Sequence, residues 1–93
     1  MKLVEHLING ELVSMGDPTQ DVFNPSTGEV GKQVEIATKN TVEKAITAAQ
    51  EAFPAWRATP PLKRARIMFR FKELLEKNIN KIAQLIGEEH GKI

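Results

Sequence analysis

The sequence contains no cysteine. Within these residues there can be no disulfide, no thiolate nucleophile and no thiolate metal site. Long apolar runs are missing too: the longest is three residues, Ile67-Met68-Phe69, against the ~20 that a membrane-crossing helix needs. The six glycines, at 10, 16, 28, 31, 87 and 91, build neither G-x-G-x-x-G nor a P-loop, so the chain carries no nucleotide-phosphate cradle of its own. The start, Met1-Lys2-Leu3-Val4-Glu5-His6, has an acid and a histidine where a signal peptide carries its apolar stretch. The expected location is cytoplasmic.

What is present is ordinary for a globular chain: 93 residues, 41% hydrophobic and 27% charged. A chain this short buries only about 60–65% of its unfolded surface, and ordering it costs on the order of 140 kcal/mol. Its core is predicted to be marginal alone. The net charge of +1 hides an asymmetry, because residues 57–72 hold six Lys/Arg and no acid while residues 1–56 hold four against eight.

Residues 7–36 read as strands and turns. Asn9-Gly10 between Leu7-Ile8 and Glu11-Leu12-Val13 is a strong two-residue hairpin signal, since both turn residues tolerate positive φ. A second strand, Asp21 to Asn24, runs into the turn Pro25-Ser26-Thr27-Gly28, and Val30, Val34 and Ile36 then alternate with Gly31, Gln33 and Glu35. That alternation predicts a strand with one buried face. Residues 1–39 are expected to form a small antiparallel meander.

From Asn40 the period becomes helical, and residues 40–93 are expected to hold three helices. Asn40 with Glu43 fits a loose capping box, and Val42, Ala45, Ile46, Ala49 and Phe53 share one face. Pro54 is expected to end this first helix near Phe53. Thr59 as N-cap and Pro60 at N1 open the second, which is expected to reach about Asn78. The third starts near Asn80, turns Ile82, Ala83 and Ile86 inward, and stops at Gly91, the C′ glycine. Strands followed by segregated helices predict an α+β fold. Gly91-Lys92-Ile93 follows a helix cap without a closing element, which leads us to expect a larger protein.

Few residues could carry chemistry. His6 and His90 read as surface residues, and two lone histidines do not make a metal site. Gly28-x-x-Gly31 reads as turn chemistry. Glu88 and Glu89 point about 100° apart on a helix and read as solvated rather than as an acid pair. On a wheel of the second helix, Ile67, Met68, Phe71, Leu74 and Leu75 form an apolar stripe, with Arg64 at its N-terminal end. Lys63, Arg66, Arg70 and Lys77 gather on another side beside Glu73, while Lys72 lies elsewhere. Three readings of this basic stretch stand: a solvated face, an ion pair through Arg64 or Arg66, or nucleic-acid binding, for which the aromatic platform is lacking. Leu62 and Phe69 sit opposite the stripe. They are either tolerated surface residues or contacts for something outside this chain.

Taken in order, these residues resemble the N-terminal segment of the NAD(P)-dependent aldehyde dehydrogenases. Leu7-Ile8-Asn9-Gly10-Glu11 is similar to the opening hairpin of that family, and Phe23-Asn24-Pro25-Ser26-Thr27-Gly28-Glu29-Val30 to its turn motif. Ala48-Ala49, Ala52-Phe53 and Trp56 resemble its first-helix ending; Arg64 resembles the start of its arginine-then-apolar helix, and Asn80 to Gly91-Lys92 its third helix and glycine-lysine exit. Arg66 to Phe71 and Ile86 to Lys92 resemble most the CoA-acylating methylmalonate-semialdehyde branch.

The resemblance implies a parent of several hundred residues, α/β with a Rossmann-like domain, using NAD and coenzyme A, and a homo-oligomer (dimer or tetramer) without nucleic-acid or membrane partners. In that family a cysteine attacks the aldehyde and hydride passes to the nicotinamide. The cysteine, the oxyanion-hole asparagine, the active-site glutamate and the cofactor-phosphate loop all lie further along the chain. The resemblance therefore implies no catalytic, cofactor-binding or metal residue among these 93, and the partner of this segment is the remainder of its own polypeptide. Asn24, Pro25, Gly28, Arg64 and Gly91 would fix turns, helix ends and packing. The alternatives are a non-acylating aldehyde dehydrogenase and a self-standing interaction module using the basic helix 59–78.

Overall fold

The structure, a computed structural model, describes residues 2–91. Five strands precede three helices: β1 (Lys2–Val4), β2 (His6–Ile8), β3 (Glu11–Val13), β4 (Thr19–Phe23), β5 (Val30–Glu35), α1 (Lys39–Ala58), α2 (Pro61–Lys77) and α3 (Ile79–His90). The α+β expectation holds. The strand count and pairing differ from it, because the strands form a β2-β3 hairpin and a separate β1-β5-β4 sheet rather than one meander. β1 pairs parallel with β5, Lys2 opposite Lys32 and Val4 opposite Val34. A three-residue strand whose partner is thirty positions away leaves no local pattern to read.

The hairpin forms as its turn residues dictate. Asn9 and Gly10 have φ of 54° and 76°, and Ile8 sits opposite Glu11. β4 and β5 pair antiparallel, with a bulge between Val22 and Phe23. Their connection is tied by its own polar groups: Asn24 Oδ1 accepts from Ser26 N at 2.9 Å and Thr27 Oγ1 from Glu29 N at 3.2 Å, while Gly28 N donates to Asn24 O at 2.8 Å. Gly28 and its neighbours are thus turn chemistry, as read from the sequence.

The helix boundaries shift by identifiable physics. Thr38, not Asn40, caps α1, its hydroxyl accepting from Thr41 N. α1 runs through Pro54, which costs one backbone hydrogen bond but leaves φ helical. Thr59 ends α1 rather than opening α2: its hydroxyl donates to Ala55 O at 2.8 Å and its N–H to Trp56 O at 3.1 Å. Pro60 takes the N-cap place of α2, and Pro61 becomes its first residue. α3 ends where expected, at Gly91 with φ 72°. A Cβ there would lie 3.0 Å from Pro25 Cγ, so glycine serves both the left-handed cap and the close approach of the turn. Lys92, the second residue of the expected glycine-lysine exit, and Ile93 lie outside the described residues.

Burial departs furthest from expectation. No hydrophobic residue is buried among the described residues; the two buried ones are polar, Glu35 at 5% and Thr41 at 2% exposure. On α1 the covered side is Thr41, Ala45 and Ala48, where small side chains let the hairpin residues Leu7 and Ile8 approach. The expected face is exposed at Val42, Ile46 and Phe53, as are Ile36, Ala83 and Ile86. The radius of gyration is 16.8 Å, against about 12 Å for a compact domain of this length.

Candidate functional site

The best-covered polar group in the chain gathers where β2, the loop before β4, the end of β5 and the start of α1 meet. Glu35 Oε1 accepts the backbone N–H groups of Met15 and Asp17, both at 3.1 Å. This turns a strand-end carboxylate into the acceptor that shapes the loop. Asp17 in turn accepts from Thr41 Oγ1 at 2.6 Å and Thr38 Oγ1 at 3.4 Å, and its Oδ2 lies 2.9 Å from His6 Nε2. Its carboxyl is held below the usual carboxylate range, first by the Thr41 hydroxyl, with burial opposing and the His6 hydrogen bond assisting.

One ligand atom each from His6, Asp17 and Glu35 lies within 4.8 Å of the others. Such a set could in principle hold a cation. The geometry assigns it another role: Asp17 is occupied by hydroxyl and imidazole partners, and Glu35 Oε1 by two amides. Within this group Glu35 Oε2 is the one atom buried without a partner among the described residues. The group is a polar buckle joining four segments.

His6 is therefore not the surface residue expected, its side chain being 14% exposed; His90 is exposed. The alternation rule had placed Glu35 on a solvent face, and it fails because the loop amides supply a carboxylate with donors that water would otherwise provide. The legible signals were Asp17 in a loop and Thr38 at a helix start, both cap-forming residue types. Their convergence across 24 positions was not legible.

A second polar contact closes the other end of the sheet. Lys32 Nζ reaches Glu88 at 3.5 Å and Glu89 at 3.3 Å, lining a shallow cleft with Val22, Asn24 and Gly31. Glu88 and Glu89 were read as solvated because neighbouring helix positions diverge. Both instead bend toward one ammonium, with Glu88 37% and Glu89 52% exposed.

The basic face of α2 matches its solvated reading. Lys63, Arg66 and Arg70 are exposed, and among the described residues Lys72 pairs only within the helix, with Glu76 at 3.7 Å. Neither Arg64 nor Arg66 forms an ion pair among the described residues, yet Arg64 Nε is buried without a hydrogen-bond partner. No helix of the described residues is long and apolar enough to cross a membrane.

The fold and these contacts can be set beside known proteins. Residues 13–93 match the aldehyde dehydrogenase family. A malonate-semialdehyde dehydrogenase of Pseudomonas aeruginosa is 56% identical over 92 residues, covering 99% of this chain and 18% of the relative. Malonate-semialdehyde dehydrogenase 2 of Oceanobacillus iheyensis is 46% identical, with 19% of its length covered. Among solved structures, a methylmalonate-semialdehyde dehydrogenase from Oceanimonas doudoroffii superposes with a TM-score of 0.97 at 64% identity, over 100% of this chain and 19% of that one. A protein described as a methylmalonate-semialdehyde dehydrogenase from Sinorhizobium meliloti, complexed with NAD, gives 0.93 at 36% identity, over 97% of this chain and 18% of that one. The chain spans about a fifth of the length of the relatives it matches. With hairpin, turn motif and three capped helices all superposing on these enzymes, the chain belongs to the aldehyde dehydrogenase family.

Proposed function

We propose that this chain is the N-terminal portion of an NAD-dependent dehydrogenase that oxidises malonate or methylmalonate semialdehyde. One observation carries the reading: superposition over 100% of the chain at 64% identity on a methylmalonate-semialdehyde dehydrogenase. The NAD in the Sinorhizobium meliloti structure supports the cofactor. We further infer a cytoplasmic location and, on the resemblance to the family, a homo-oligomeric parent; coenzyme A as acyl acceptor rests on the resemblance of Arg66 to Phe71 and Ile86 to Lys92.

The segment's role in this reading is architectural. Residues 1–39 supply the small sheets and residues 40–93 three helices that flank the NAD-binding domain. None of the 93 residues touches substrate or cofactor. The polar buckle of His6, Asp17 and Glu35 sets the angle between the hairpin and α1, while Lys32 ties α3 to the sheet. The chemistry itself, hydride transfer to the nicotinamide, belongs to residues beyond these.

The test is an assay of the complete gene product and of this chain, following NADH absorbance with each semialdehyde, with and without coenzyme A. Turnover by the complete protein and none by the 93-residue chain is the expected result. A complete protein inert toward both semialdehydes would overturn the reading, and turnover independent of coenzyme A would remove the acylating part of it.

A further inference from the structure

We propose that Asn9 is a site of spontaneous covalent modification, deamidation through a cyclic imide, and that the isoaspartate formed there releases the β2-β3 hairpin from the polar buckle at its base. Such a change limits the lifetime of the molecule, whatever the complete protein catalyses. Asparagine is among the thermolabile residues, and the backbone nitrogen that follows it decides its fate. Of the five asparagines, at 9, 24, 40, 78 and 80, only Asn9 precedes a glycine. Asn24 precedes Pro25, whose nitrogen has no proton to give up. Thr41, Ile79 and Lys81 follow the other three, and their side chains crowd the approach. Asn40 and Asn80 are also held inside α1 and α3.

At Asn9 the approach is open. Both turn residues are exposed, a Cβ at Gly10 would meet nothing within 4 Å, and the Gly10 N–H donates to no backbone carbonyl among the described residues. The turn must loosen before that nitrogen reaches the side chain, because a closed two-residue turn fixes the backbone of both residues. It is weakly restrained against doing so. β2 and β3 are three residues each and form a two-stranded sheet of their own, a unit that is marginal in water. Leu7 and Leu12, opposite each other across it, are 70% and 71% exposed.

The reaction needs no co-reactant but water. The Gly10 nitrogen attacks Asn9 Cγ as it gives up its proton; the N–Cγ bond forms, the Cγ–Nδ2 bond breaks, and ammonia leaves with that proton, closing the imide. Water then adds to either ring carbonyl. Breaking the new N–Cγ bond leaves aspartate. Breaking the original peptide bond instead leaves isoaspartate, in which the main chain runs through Cβ and Cγ of residue 9 and a free carboxylate stands on its Cα.

The two products act differently on the fold. Aspartate suits the same turn, since Asp-Gly adopts it as Asn-Gly does. Isoaspartate inserts an additional backbone atom between Ile8 and Glu11, which sit opposite each other, and a two-residue turn has no slack to take it. Pairing at the tip is lost, and the loss has a short way to travel. His6 opens β2, pairs with Val13 and has its Nε2 2.9 Å from Asp17 Oδ2. The new carboxylate also enters a stretch, residues 5–13, that holds Glu5 and Glu11 and no Lys or Arg, so its charge is opposed rather than paired.

Ageing the complete protein at mildly alkaline pH, where the Gly10 nitrogen gives up its proton more readily, tests this. Digestion after lysine and arginine releases residues 3–32 as one peptide, which is expected to gain the mass of one deamidation, with fragment masses placing it at Asn9 and not at Asn24. Conversion at Asn9 should exceed that at Asn40, Asn78 and Asn80 at least tenfold. Asn9→Gly, which keeps a two-residue turn but has no amide to lose, should abolish the gain. In the isoaspartyl form the amides of β2 and β3 should exchange at least tenfold faster than in fresh protein, whereas freshly made Asn9→Asp should exchange as the parent does. Asn9 left intact while a free peptide of residues 5–14 converts would overturn the site. Aspartate as the sole product, or isoaspartyl protein whose hairpin amides exchange at the fresh rate, would overturn the release.

Discussion

The strand half and the helical half of this molecule are held by different forces. In the first, buried Glu35 and the hydrogen bonds around Asp17 join segments distant in sequence and reach across to buried Thr41 at the start of α1. In the second, α2 and α3 bury nothing, and their apolar side chains face outward. Polar buckles are satisfied by a few well-placed partners and so can be complete within a short segment. Apolar faces need area, and area must come from another layer. The comparison teaches that a segment can make most of its buried hydrogen bonds locally, Glu35 Oε2 being left over, while its packing stays unfinished.

The largest expected effect that would break this contrast is at Glu35. Glu35→Ala strands the amides of Met15 and Asp17 and should cost about 2 kcal/mol, read as accelerated exchange of those two amides and loosening of the loop from α1. Unchanged exchange there would show that the buckle does not hold the strand half.

Acid should act next, and at the same place. Because the folded-state carboxyl of Asp17 lies below its ordinary value of 3.8, its contribution is fully present above that value and is lost as pH falls through the lower folded value. Titration followed by NMR of Thr41 should show its contact intact at pH 5 and released only below about pH 4, and Asp17→Asn should remove this transition. A Thr41 signal that moves near neutral pH instead would place the switch elsewhere.

The smallest effect is expected in the helical half. Phe69 is 65% exposed, so Phe69→Asp in the short chain should change stability by less than about 0.5 kcal/mol, measured by thermal unfolding. The same substitution in the complete protein sharpens the comparison: reduced soluble yield there would show that the side of α2 opposite the stripe is covered, and equal behaviour in both would mark Leu62 and Phe69 as ordinary surface residues.

Much of the fold was legible from local chemistry. Asn9-Gly10 fixed a hairpin, Gly91 a helix end, and Pro25 to Gly28 a turn, because each depends on backbone geometry that only a few residue types adopt. The boundaries at Thr38, Thr59 and Pro54 were less legible, since two residues competed for each cap and the cost of a helical proline was outweighed by continuing the helix. β1 and the polar buckle were not legible at all. Both depend on contacts between residues far apart in the chain, and no local spacing encodes Lys2 against Lys32 or Asp17 against Thr41. Family resemblance filled a different gap, pointing to a function that no local spacing among these residues encodes.

The parallel pairing of β1 with β5 has a consequence for the order in which the molecule takes shape. During synthesis Lys2 to Val4 emerge before their partners exist, and can pair only when Lys32 to Val34 have been made. Until then β1 is an unpaired edge, open to any strand nearby. The hairpin and the β4-β5 pair are more local and can close earlier. The ribosome thus delivers β1 well before it can be used, and any change that slows the synthesis of the residues between β1 and β5 would lengthen this waiting period.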